Sequence, residues 1–424
     1  MINIVVLLGL MPILSAIAVT PDREGPYHVR ILWTQNPSKH AVVSWTTFSA
    51  TQKATVYFDT QSREGDLAAY THKSELALTG EITLTDSDME MEVPRGHYNH
   101  AEMKGLNADS RYYFVVESDG KVSEEMYFIT APDSDKEISL FWGGDSRMGA
   151  ADPRYAGVHP HENRKAMNRL MSELLAENPN IYALAHGADW GVTADWRHLY
   201  WWFHDHELTT TEDGRVLPLI ASRGNHDRSI GFEENFWLGE DLPTGQYYYT
   251  SQLTPEVALV TLNTEVSITG DQRQWLEKEL ASLRPNNRWL MVQYHVPAYP
   301  AVKDFNATTA SRVRNFWVPL FEEYQVDLAA EADGHCLKRT LPIKGGKHDP
   351  EGVIYIGEGG LGVPQRETDN SRWFVQEPGM ATSAHHVFLI DFRMDGLRTR
   401  AIGMDKKVLD DHELQPRMVA SQVE

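Results

Sequence analysis

The sequence predicts two architectures in series, a small all-β sandwich followed by an α/β domain. Three observations carry this. From about Tyr27 to Ala131, short runs alternate apolar and polar residues with turn formers between them, the pattern of strands that bury one face. Beyond a polar linker, PDSDKE at 132–137, the rhythm becomes apolar strand, amphipathic helix, apolar strand, which argues for an α/β core with mainly parallel strands. At 424 residues, 42% of them hydrophobic, the chain suits two or three cores better than one.

Taken in order, the first 18 residues, MINIVVLLGLMPILSAIA, are an apolar run ending in Ala16-Ile17-Ala18. That is the small-x-small pattern of a signal-peptidase site, although the run lacks a basic start. It predicts cleavage near Ala18 and a secreted or periplasmic protein, with no membrane span after cleavage. HVRILWTQ, HAVVSWTTF, ATVYFDT, ITLTDSDMEMEV, HAEMKGL, RYYFVVESDG and EEMYFITAP then supply about seven strands, as a two-sheet sandwich over 19–132 requires. A Trp in each of the first two strands is assigned to its core.

The second domain, 133–405, opens with the strand ISLFWGGD, the helix HENRKAMNRLMSELLAENP and the buried strand IYALAHGAD. A Trp-rich helix from about Asp195 to Glu207 follows, with the two histidines of FHDHE placed on a solvated face. VLPLIASRGNHD, VALVTLNTE, the helix DQRQWLEKELASL, RWLMVQYHVPAY, the helix SRVRNFWVPLFEEYQ and VDLAAEADGH continue the alternation. GVIYIGEGG and HHVFLIDFRMDGLRTRAIG close the domain as strands. Residues 406–424 are charged and read as a loose tail.

Composition excludes some functions. Sixty acidic against 39 basic residues give a net charge of −21, a surface that repels nucleic acid and anionic membranes. The single cysteine, Cys336, rules out an intrachain disulfide.

Asp145, Asp189, Asn225–His226, His295 and Asp333–His335 each stand directly after an apolar strand. Any one alone reads as a helix cap or turn former. Five such strand ends in one domain of parallel strands would converge at the carboxyl edge of the sheet, where α/β active sites lie. Oxygen and imidazole donors without thiolate suit Mn, Fe, Zn or a related ion.

GGDSRMG (143–149), HGADWGV (186–192), RGNHDR (223–228), VQYHVPAY (292–299) and EADGHCLKR (331–339) resemble, in this order, the five blocks of the metallophosphoesterases, in particular the purple acid phosphatases. HVRILWTQNPSKHAVVSWTT and HAEMKGLNADSRYYFVV are similar to a fibronectin type III-like domain. The resemblance implies a metallophosphoesterase sandwich of mixed β-sheets flanked by helices, preceded by the all-β domain. It implies two divalent or trivalent metal ions (Fe, Mn or Zn) that activate water against a small phosphorylated substrate. Asp145 would bind the first metal, Asp189 would bridge both, and Asn225 and His295 would bind the second. His226 would act as acid or transition-state donor beside the leaving oxygen. Apart from the resemblance, Arg147 stands two residues after Asp145 and reads either as a surface cation or as the holder of the substrate phosphate, the second preferred because its loop leads straight from a ligand.

Two blocks depart from the family pattern. Val192 stands where the family has a metal-binding Tyr, so tyrosinate-to-iron colour is not expected. In the fifth block, matching the letters GH would make Leu337 a ligand, which it cannot be. Shifting the register by one dipeptide makes Asp333 and His335 the pair, with Arg339 following. That register is preferred, on the reasoning that residues i and i+2 of an extended segment share a side. The runner-up readings are a phosphodiesterase, and a non-catalytic metal- or ligand-binding surface protein on the same fold.

Overall fold

The computed structural model describes residues 25–84, 93–147, 160–193, 195–243 and 245–417. The run read as a signal peptide lies outside the described residues, as does most of the strand expected at ITLTDSDMEMEV. None of the described helices is long and apolar enough to cross a membrane.

Two large sheets form the body of the molecule. The first is 10-stranded and runs, edge to edge, through Val408–Leu414, Leu397–Gly403, His386–Phe392, Ile138–Gly143, Ile181–His186, Leu219–Ala221, Tyr27–Leu32, His40–Thr47, His97–Lys104 and Leu78–Glu81. The second orders Tyr249–Thr254, Val257–Thr261, Trp289–Tyr294, Leu328–Glu331, Ile354–Gly357, Leu337–Arg339 and Met380–Thr382. Each has a parallel centre and antiparallel flanks, so both sheets are mixed.

Strand alternation explains the layering. In the second sheet Leu259 and Met291 share a core with Phe141 and Ala185 of the first sheet. Their neighbours Ala258, Val260, Leu290 and Val292 face a separate core with Leu276 and Leu280 of the helix Asp271–Leu283 and Phe321 of the helix Val318–Glu323. A strand buried on both faces must be apolar throughout, which is why these segments read as unbroken apolar runs. Trp33 and Trp45 are fully buried in the first core.

Two expectations change. The boundary drawn at 132/133 does not separate independent bodies. Leu32 of the sandwich pairs in parallel with Leu219 of the α/β domain, and the Trp33 N–H donates to the Leu219 carbonyl at 2.8 Å. Tyr127, on the strand Met126–Ile129 that pairs with Arg111–Ser118 in the sandwich's separate five-stranded sheet, exchanges backbone hydrogen bonds with Gly214 and Val216. The edge strands of the two units cover each other, as sheet edges need. The tail expected from Lys406 is likewise ordered as far as Arg417. Val408–Leu414 pairs antiparallel with Leu397–Gly403, and its Asp410 binds Arg339 at 2.7 Å. An exposed edge strand carries charge on its open side, so composition alone made it look like a tail.

The parallel strands end level. Gly143 pairs with His186 and His186 with Ala221, while Tyr294 pairs with Glu331 and Glu331 with Gly357. Loops leaving both sheets therefore meet at one rim.

Candidate metal centre

Asp145, Asp189, Asn225, His226, His295, Asp333 and His335 all come from these loops, and the structure brings them together with Arg147. Backbone strain marks the place. Asp145, Ala188, Asp189, Asp333 and His335 all have left-handed φ, between 52° and 76°, each costing about 1–3 kcal/mol that the surrounding contacts must offset. The loops also approach closely. A methyl group on Gly224 would lie 2.4 Å from Asp189 Oδ1, and one on Gly359 only 1.9 Å from Asp145 Oδ2. Only glycine permits either approach.

Three imidazoles are held alike. His295 Nδ1 meets the Gly187 carbonyl at 2.9 Å, His335 Nδ1 the Pro364 carbonyl at 3.2 Å, and His226 Nδ1 the Val192 carbonyl at 2.6 Å. A carbonyl only accepts, so each Nδ1 carries a proton and each Nε2 turns inward. Val192, lacking the family's phenol, thus anchors His226 through its backbone.

The inward atoms form two halves that share Asp189. In one, His295 Nε2 faces three oxygens, Asn225 Oδ1 at 3.0 Å, Asp189 Oδ1 at 3.2 Å and Asp333 Oδ1 at 3.7 Å. In the other, His335 Nε2 lies 3.3 Å from Asp145 Oδ1. Asp145 Oδ1 and Asp189 Oδ2 are buried and accept no hydrogen bond. Asp145, Asp189 and His295 each offer an atom within 4.8 Å of the others. Converging imidazole nitrogens and oxygens, two of them orphaned buried carboxylate oxygens, fit a metal cation.

Arg147 and Lys303 are the cations already present. Arg147 Nη1 donates to His226 Nε2 at 2.8 Å and Nη2 to His335 Nε2 at 2.9 Å, with Nε 3.6 Å from Asp189 Oδ2. Lys303 Nζ forms a short ion pair with Asp333 Oδ1. Charge and burial set the titration. Burial pulls His295 down, but the carboxylates of Asp189, Asp333 and Asp145 prevail and hold it well above the ordinary imidazole range. Burial works to raise Asp145 and Asp189, yet His335 lowers the first and His295, with Arg147, lowers the second. Burial lowers both His226 and His335. Asp227 is pushed up to about 8 by burial and by the charge of Asp189.

Sequence reasoning missed several supports. Asp227 accepts from the backbone N–H groups of Asp189 (2.7 Å), Gly224 (2.9 Å) and Trp190 (3.0 Å), tying the second and third blocks together. It was visible as the last letter of GNHD. Lys303 had no sequence signal. The extended segment invoked for Asp333 and His335 is instead a turn between Leu328–Glu331 and Leu337–Arg339, and left-handed backbone at both residues aims them inward. Leu337 is buried in the core, and Arg339 is spent on Asp410. Of the Trp-rich helix, found at Trp196–His206, His206 is buried and not solvated. Its ring stacks on Trp202, whose Nε1 donates to Ser146 beside Asp145.

Two family models match the chain. Purple acid Phosphatase, N-terminal domain, covers residues 26–130 and Calcineurin-like phosphoesterase covers residues 158–337. An uncharacterized protein of Mycobacterium tuberculosis is 26% identical over 279 residues, 58% of this chain and 51% of that protein. The phosphoenolpyruvate phosphatase of Allium cepa is 21% identical over 335 residues, 77% of this chain and 65% of that one. The chain thus spans about half the length of the first relative and just under two thirds of the second. The purple acid phosphatase PPD1 of yellow lupin (Lupinus luteus) superposes with a TM-score of 0.75 at 16% identity, over 92% of this chain and 74% of that one. That structure shows the shared fold. In order along the chain, an all-β domain that matches the purple acid phosphatase N-terminal model is followed by a domain that matches the calcineurin-like phosphoesterase model, on a fold shared with a purple acid phosphatase.

Proposed function

We propose that the chain is an exported, metal-dependent phosphoesterase acting on small phosphomonoesters. The observation that carries this reading is the convergence of Asp189 Oδ1, Asn225 Oδ1, Asp333 Oδ1 and His295 Nε2, with Asn225 and both carboxylates within 3.7 Å of the imidazole nitrogen. Asp189, Asn225, His295 and Asp333 would hold a metal in that half, and Asp145, Asp189 and His335 face the other. An oxygen-rich set of this kind favours Mn or Fe(II) over Zn. When bound, the metal supplies positive charge to the phosphoryl oxygens and lowers the pKa of the attacking water.

The chain's own residues do the rest. His226, steadied on the Val192 carbonyl, keeps part of its side chain solvent-exposed and turns Nε2 towards the centre, 4.0 Å from Asp189 Oδ2. As imidazolium, with Nε2 released from the Arg147 Nη1 that donates to it in this structure, it would pass its Nε2 proton to the departing alkoxide. Because burial lowers its pKa, this acid form is populated at acidic pH. Arg147 brings a guanidinium, whose planar pair of N–H donors suits phosphate oxygens. The named phosphoenolpyruvate phosphatase among the relatives supports a monoester substrate. The apolar run ending at Ala16-Ile17-Ala18 supports export.

Phosphate release from a panel of mono- and diesters tests the reading, before and after chelation and with Mn²⁺, Fe²⁺ or Zn²⁺ restored. Monoester turnover that disappears on chelation and returns with metal is the expected result. Turnover indifferent to metal, or none with any metal, overturns it, and faster diester hydrolysis reassigns the substrate.

A further inference from the structure

We propose that Arg147 takes the place of one of the two metal ions, so that the chain holds a single tightly bound metal beside a built-in guanidinium. The inference rests on the metal-dependent reading above and departs from the two metal ions that the resemblance implies.

The two halves of the centre differ in what fills them. Around His295 Nε2 the neighbours are oxygens, and Lys303 binds Asp333 from the rim with its side chain 40% exposed. The half beside Asp145 already contains N–H donors. Arg147 spans it, with one nitrogen 2.9 Å from His335 Nε2, another 2.8 Å from His226 Nε2 and a third 3.6 Å from Asp189 Oδ2. His335 Nε2 and Asp189 Oδ2 are the lone pairs that a metal in this half would need. A metal ion sits about 2.0–2.2 Å from such ligands, too near for a guanidinium already in hydrogen-bond contact with one of them.

Arg147 is set in this position. Its side chain is only 15% exposed, and it leaves a strand end fixed on both sides. Asp145 N–H donates to the Ala188 carbonyl, and the carbonyl of Ser146 accepts from buried Arg164 at 3.1 Å. Arg164 is itself ion-paired to buried Asp205. The missing phenol agrees with this. Val192 offers no side-chain ligand to the Asp145 half, and its carbonyl is engaged with His226.

Charge supports one ion. Three carboxylates, Asp145, Asp189 and Asp333, already meet two cations, Arg147 and Lys303, and Arg366 donates to the Asp333 carbonyl at 3.1 Å. A second divalent ion would add two positive charges in the half that the Arg147 guanidinium already spans. Substrate phosphate would then lie between one metal and Arg147.

The test is metal stoichiometry in the full chain after loading with Mn²⁺ and removal of free ion, read by elemental analysis and by the Mn(II) EPR spectrum. Wild type is expected to hold one equivalent with an uncoupled spectrum. Arg147→Ala is expected to hold two, with the broadened signal of a coupled pair. Should Arg147→Ala fold poorly, Asp145→Asn serves instead, and it should keep the single equivalent of wild type. Two equivalents in wild type, no gain in Arg147→Ala, or loss of the one equivalent in Asp145→Asn overturns the inference. No bound metal in any of them contradicts the metal-dependent reading as well.

Discussion

Asp227 never faces the metal ligands' lone pairs, yet its carboxylate fastens Asp189, Trp190 and Gly224 by their N–H groups. Replacing it with Asn points an amide NH₂ at one of those donors and should weaken metal binding by roughly 10–100-fold, the usual scale for a support of this kind. Its titration gives a second readout. The folded protein holds Asp227 at about 8 against an ordinary 3.8, so it binds this proton more readily than the unfolded chain does. The resulting stability is complete below about pH 4 and is lost as pH rises towards about 8. Thermal melts of metal-free protein across that window should show the slope in wild type and lose it in Asp227→Asn; an unchanged slope contradicts the assignment. For His226→Ala, kcat should fall by about 10²–10⁴ with metal content unchanged, and fall most for alkyl phosphates, whose leaving groups most need a proton. Equal losses for alkyl and nitrophenyl esters would remove the acid role. At this scale the sequence was informative wherever a residue's type limits its chemistry. Asp145, Asp189, Asn225, His295 and the Asp333–His335 pair all reach one rim. It was silent on Lys303, an exposed-looking lysine joined to Asp333 only by the fold.

Among the elements, the strand Leu337–Arg339 deserves its place by what lies behind the fifth block. Lys338 is fully buried between Glu331 and Glu358, 2.5 and 2.8 Å away, and donates to the Tyr299 carbonyl. Glu331 in turn accepts from Tyr294 and from the Ala298 N–H. The Glu358 backbone bonds to His335 and Cys336, so this network fixes the turn that aims Asp333 and His335. Lys338→Met leaves two carboxylates buried without a cation and should cost about 3–5 kcal/mol, measured as a lowered denaturant midpoint. A loss below about 1 kcal/mol, typical of an exposed pair, would mean that the network does not hold the turn. Most elements were legible because burial on both faces makes a strand uniformly apolar, and Asp271–Leu283 matches the predicted helix residue for residue. The short helix Ile230–Asn235 and the strand Tyr249–Thr254 were not. Each is too short or too polar to show a period of its own and exists through what it packs against.

For the whole molecule, one sheet crosses both units, joined at Leu32 and Leu219. The hydrophobic core likewise runs without a break from Val42 and Trp45 to Phe141, Met291 and Ile356. Two separable cores were expected from the sequence because local patterning shows where strands lie but not which edges pair. Calorimetry of the full chain should therefore give a single transition, and a chain beginning at residue 132 should fail to fold, since it exposes the edge at Leu219 and the apolar face beneath Trp33. Two resolved transitions would restore the independent domains. The central claim, that this rim is a metal-dependent hydrolytic site, is tested most directly by titrating metal-free protein with Mn²⁺ while recording bound metal and phosphate release together. No turnover is expected without metal, and activity should rise in proportion to bound ion until the site saturates, with both signals lost in His295→Ala. Phosphate release from the metal-free protein, or a filled site that releases none, would contradict it.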